Sequence, residues 1–85
     1  MLTVRWEAGF EVALAQALPD AELRAAICDS IEFIISRRAA LASAPIPGSS
    51  YYVYVTEATQ VAPSIRIFFR IEEEVVALVY AERSN

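Results

Sequence analysis

The stretch Ser64–Arg83, SIRIFFRIEEEVVALVYAER, sets two apolar runs on either side of three consecutive glutamates. Both runs are far shorter than the about 20 apolar residues of a membrane-spanning helix. Both are rich in the β-branched and aromatic residues that fit a pleated surface. Two strands joined by an acidic turn are therefore expected over 65–71 and 75–81. Alternation in the first run separates Ile65, Ile67, Phe69 and Ile71 from Arg66, Phe68 and Arg70. The first set calls for a core and the second for water or a partner, so the fold must contain a sheet packed on one side only.

The rest of the chain supplies the cover. LTVRWE alternates Leu2, Val4 and Trp6 with Thr3, Arg5 and Glu7, the period of a half-buried strand over 2–6. From Glu7 the period changes, and Phe10, Leu14, Ala17 and Leu18 fall on one helical face that Pro19 interrupts. Asp20 is placed to cap a second helix, with Glu22 in its first turn where the helix dipole favours negative charge. Leu23, Ile27, Ile31, Ile34 and Ile35 form its apolar stripe, and Arg37 and Arg38 are expected near its C-terminal end. With almost nothing between them, the helices should form an antiparallel hairpin.

AALASAPIPGSS then reads as a connection, YYVYVTE as a strand and ATQVAP as a loop. The expected fold is α+β: an N-terminal strand, an antiparallel helical hairpin, then a three-stranded antiparallel meander, βααβββ, in a single domain over 1–85. A helical hairpin covers one side of such a sheet, which leaves Arg66 and Arg70 on the other. Either Tyr52, Tyr54 and Thr56 or Tyr51, Val53 and Val55 turn to that side, and alternation alone does not fix the register. Taking the even set, Tyr52 and Tyr54 would stand beside the arginines. Such a cluster suits stacking on bases and contacting phosphate, or anchoring a protein partner.

Composition removes much chemistry. Histidine and lysine are absent and Cys28 is the single cysteine, which excludes histidine-based catalysis, structural zinc and internal disulfides. Seven arginines face eleven acids for a net charge of −4, so only a local arginine cluster could attract nucleic acid. Glu72, Glu73 and Glu74 read as a solvated turn rather than a metal site, Cys28 as a small apolar filler and Trp6 as a core or rim aromatic. No cofactor, metal or membrane partner is expected. The first residues lack the basic-then-apolar order of a secretory signal, which implies a cytoplasmic protein. A hydrophobic fraction of 56% is more than so small a body easily hides, so an apolar patch should remain for a partner or a homodimer.

The order βααβββ, the helix LPDAELRAAICDSIEFI, the Pro/Gly connection, the tyrosine-led strand and IRIFFRIEEEVVALVYAER together resemble the RelE/ParE superfamily of bacterial toxins. In that family the third strand typically reads like YRVIYRI, followed by an acidic turn and a valine-rich strand ending near GHR. Arg66 and Arg70 match the two arginines of that strand and Arg83 the terminal one. The resemblance implies a toxin–antitoxin module of the kind linked to plasmid stabilisation, with a cognate antitoxin as partner. It also implies action on the ribosome and its mRNA, or on DNA gyrase. Ile65 stands where the family has an aromatic residue, Ala81 where it has glycine and Glu82 where it has histidine. Cleaving RNA needs a group to move the 2′-hydroxyl proton, and the candidates left are Glu57, Glu82, Tyr52, Tyr54 and Tyr80. The expected role is therefore binding through the sheet face rather than catalysis. The alternative is a noncatalytic relative of the family that dimerises or binds a protein.

Overall fold

The computed structural model describes residues 2–60 and 62–84, without the side chains of 38–42, so Arg38 lies outside the described side chains. The elements are β1 (Thr3–Trp6), α1 (Ala8–Ala17), α2 (Ala21–Ala42), β2 (Ala44–Pro45), β3 (Tyr51–Val55), β4 (Ile65–Glu72) and β5 (Val75–Arg83). They build one five-stranded sheet in the order β1-β5-β4-β3-β2. The sheet is mixed rather than a plain meander. β1 lies parallel to β5, because the helical pair carries the chain back before the antiparallel strands begin.

Local chemistry explains the boundaries. Pro19 stops α1, and Asp20 Oδ1 accepts from the backbone N–H groups of Glu22 and Leu23 at 2.9 and 3.1 Å, opening α2 as expected. Arg24 Nη1 donates to the carbonyls of Leu18 and Pro19 at 2.8 and 3.1 Å, holding the link between the helices. Two expectations fail downstream. α2 runs on to Ala42, since the alanine-rich segment favours helix, so Arg37 is not in its last turn. Instead the Arg37 guanidinium lies 4.1 Å from the Phe33 ring centroid. The supposed connection also contributes the two-residue β2 against β3.

The core forms where the alternation in β4 places it. Ile65, Ile67 and Phe69 are fully buried against Phe10 and Leu14 of α1, Ile31 and Ile35 of α2, and Val76 and Leu78 of β5. Ile27 and Ile34 remain half-exposed, so α2 leaves part of its stripe bare. Among the described residues no helix is long and apolar enough to cross a membrane.

One irregularity redirects the last strand. Phe69 pairs with Leu78 but Phe68 pairs with Tyr80, so Val79 is an extra residue and β5 carries a bulge there. Before it, Ala77 shares the side of Arg70; after it, Tyr80 and Glu82 share the side of Phe68 and Arg66. Ala81 and Arg83 are thereby turned toward the helices.

Candidate functional site: the open sheet face

Both helices lie on one side of the sheet, and the other side presents three rows of side chains across its strands. Directly paired residues point the same way. The first row is Tyr51, Arg70, Ala77 and Arg5; the second is Val53, Phe68 and Tyr80; the third is Val55, Arg66 and Glu82. An apolar row thus runs between two charged ones.

The first row closes into a ring of ion pairs. Arg70 Nε meets Glu72 Oε1 at 3.0 Å and Arg70 Nη2 meets Glu7 Oε1 at 3.3 Å. Arg5 Nη2 meets Glu72 Oε2 at 3.3 Å and Arg5 Nε meets Glu7 Oε2 at 3.6 Å. Glu7 is the N-cap of α1, yet its side chain makes no capping bond because the two guanidinium groups engage it. The hydrogen bond from Arg70, reinforced by Arg5, holds the Glu72 carboxyl below the usual carboxylate range. The Arg70 guanidinium also stands 6.0 Å from the Tyr51 ring centroid. In the third row Arg66 Nη2 meets Glu82 Oε2 at 2.6 Å.

The structure brings Arg66 and Arg70 onto one face but separates the other expected members. Tyr52 pairs with Phe69 and Tyr54 with Ile67, so both tyrosines lie on the helix side; Tyr52 stacks on Phe69 at 5.6 Å. The odd set of β3, led by Tyr51, joins the arginines instead. Arg83 is also removed from the face, because the bulge at Val79 reverses the parity of β5. Its Nε donates to the Ala17 carbonyl at 2.7 Å, at the end of α1. Sequence reasoning left Tyr51 open as one of two alternatives and missed Arg5, Glu7 and Glu72 as members of the face. The alternation of Arg5 with Val4 and Trp6 already carried the signal for Arg5.

Of the candidate proton-moving groups, Glu82 is engaged by Arg66 and Tyr80 is half-exposed beside Phe68, ring centroids 5.9 Å apart. Tyr54 and Glu57 line a different feature, a groove of about 540 Å³ between α2 and β3 whose apolar lining includes Ile27, Ile31 and Ile34. Burial, and then the Glu57 charge, raise the Tyr54 hydroxyl above its ordinary pKa. Cys28 sits at the edge of the core, and burial likewise raises its thiol pKa, as befits a filler rather than a nucleophile.

No protein-family model matches the sequence, and no curated protein is significantly similar to it. Solved structures do match. A chain of the RelBE2 toxin–antitoxin complex from Mycobacterium tuberculosis aligns with TM-score 0.75 at 18% identity, covering 96% of each chain. The chromosomal ParDE system of P. aeruginosa gives TM-score 0.68 at 13% identity, over 100% of this chain and 98% of the other. The intact E. coli RelBE complex gives 0.66 at 9% identity, over 100% and 99%. Over 96–100% of its length the chain thus shares its fold with chains of RelBE and ParDE toxin–antitoxin complexes, and its architecture is the α+β, RelE/ParE-like one.

Proposed function

We propose that this chain is the toxin-like component of a bacterial toxin–antitoxin module. It acts on the translation or replication machinery by binding through the open sheet face rather than by cutting RNA. One observation carries the second half of that reading: Arg5, Arg66 and Arg70 are all ion-paired with carboxylates of the same face. Phosphate contacts supply most of the affinity of a nucleic-acid binder. A phosphate here would have to displace Glu7, Glu72 or Glu82 and then sit beside it. An apolar row with a polar rim suits a protein surface better. The groove between α2 and β3 supplies a separate seat for an antitoxin, as an amphipathic segment whose apolar side meets Ile27 and Ile34.

Expression in bacteria tests the module. Growth arrest that is relieved by co-expressing the protein of the neighbouring gene supports it; indifference supports instead a noncatalytic interaction module, a reading favoured by the exposed apolar row. A translating extract tests the mechanism. Purified protein should leave mRNA uncut at the ribosomal A site, and A-site cleavage that disappears with Arg66→Ala would overturn the binding mechanism.

A further inference from the structure

We propose that Glu7, Glu72 and Glu82 are specificity determinants of the open sheet face: by occupying its arginines they shut out nucleic acid, and neutralising them uncovers a phosphate-binding surface already laid out in the fold. That the face is the working surface rests on the reading above. The exclusion is a property of the isolated chain and can be measured whether or not the chain is toxic.

Among the described residues every ion pair lies on this one face. Elsewhere the arginines engage backbone. Arg24 donates to the carbonyls of Leu18 and Pro19, Arg37 to that of Phe33 and Arg83 to that of Ala17. Carboxylates are thus matched to arginines only where three arginines share one open surface. Glu7 and Glu72 each bridge Arg5 and Arg70, so either guanidinium keeps a carboxylate when the other is displaced. Ala77 pairs with both arginines on the open side and is fully buried with no helix above it, so the ring closes over it. Arg66 is held differently. Glu82 meets it through Nη2, while its Nε is shut from water without a hydrogen-bond partner. A guanidinium offers a fork of donors that a phosphate fills in bidentate fashion, so Glu82 holds off a donor capacity that it does not satisfy.

Charge gives the direction of the effect. The face balances three arginines against three glutamates on a chain of net charge −4, so a polyanion meets no local attraction and an overall repulsion. With the glutamates neutralised, three uncompensated cations stand on the same strands. Three phosphate contacts on a single strand give log K a slope of about −2 on log salt.

Fluorescence anisotropy with a labelled, mixed-sequence single-stranded RNA over a series of salt concentrations reads the affinity. The parent should show at most weak binding. Glu7→Gln, Glu72→Gln and Glu82→Gln together should bind at least about tenfold more tightly, with the slope just given. Adding Arg66→Ala and Arg70→Ala should abolish the gain. Glu11→Gln, Asp29→Asn and Glu32→Gln together raise the net charge equally from the helices and should bind no better than the parent. Should the first variant fail to fold by circular dichroism, Glu82→Gln alone, which leaves the ring intact, should show a smaller gain that Arg66→Ala removes. No gain in the glutamine variants, a parent that binds as tightly as they do, or an equal gain in the helix control would each overturn the proposal. A gain of RNA binding in a chain that arrests no growth would sink the toxin reading and leave this one standing; growth arrest by a parent that already binds RNA would do the reverse.

Discussion

Arg66 and Ile67 are neighbours in β4 with opposite environments, and each can be argued on its own. Ile67 is fully buried beneath the helices, whereas the Arg66 side chain is 40% exposed in its pair with Glu82. An exposed ion pair contributes about 0–1 kcal/mol. Arg66→Ala should therefore keep the fold, with a melting transition close to the parent's. Ile67→Asp puts an unpaired charge where no partner exists, a cost of several kcal/mol that a marginal 85-residue domain does not survive, and should abolish cooperative melting. If both variants unfolded alike, the open face would be misassigned. Glu72 supports a second test at this scale. Its folded pKa is depressed, so its contribution is present above the unfolded value of about 4.3 and is lost as pH falls through the lower folded value. Glu72→Gln should consequently flatten the dependence of stability on pH in the acid range and leave the shape of the curve unchanged near neutrality. The orientation of Arg66 and Ile67 was legible because period-two alternation is a purely local signal. That Arg66 is paired with Glu82 was not, since the partners lie 16 positions apart and meet only once the hairpin register is set.

At the scale of elements, the sequence was most informative where a single residue type dictates a boundary. Pro19 and Asp20 end one helix and begin the next, and the acidic turn at 72–74 joins β4 to β5. It was least informative where position depends on pairing. Tyr52 and Tyr54 face the helices because Tyr51 pairs with Arg70, a register that the loop from Thr56 to Ser64 permits but does not spell out. Arg83 changed sides for a reason equally invisible to alternation, the single extra residue Val79. The consequence can be measured. Arg83 serves α1 by donating to the Ala17 carbonyl, where a cation also meets the negative end of the helix dipole. Arg83→Ala should lower stability by about 1 kcal/mol in denaturant melts. Arg66→Ala should show the reverse emphasis, disturbing the face more than the fold. Parent-like stability in Arg83→Ala would mean that the bulge does not turn the side chain toward α1 as described.

At the scale of the whole molecule, the sheet divides the protein into two unlike working surfaces. On the open side the charges are internally neutralised around an apolar row; on the helix side α2 leaves open over β3 a groove in whose lining Glu57 is the charged side chain. A partner suited to the groove needs an apolar stripe for Ile27, Ile34 and Tyr54, and a basic group to meet Glu57. Because the surfaces lie on opposite sides of one sheet, occupancy of the groove need not disturb the open face. Ile34 is the informative position, being half-exposed in the groove and outside the set of fully buried core residues. A charge there remains in contact with water, so Ile34→Asp should fold, unlike Ile67→Asp. It should nonetheless place an unpaired carboxylate against the apolar stripe of any segment lying in the groove. Co-expressed with the protein of the neighbouring gene, the Ile34→Asp variant should lose the complex in co-purification, or bind at least about tenfold more weakly by calorimetry. Tyr80→Arg should bind that protein with parent-like affinity, since it alters only the opposite side of the sheet. A complex that survives Ile34→Asp and is lost with Tyr80→Arg would move the antitoxin seat from the groove to the open face.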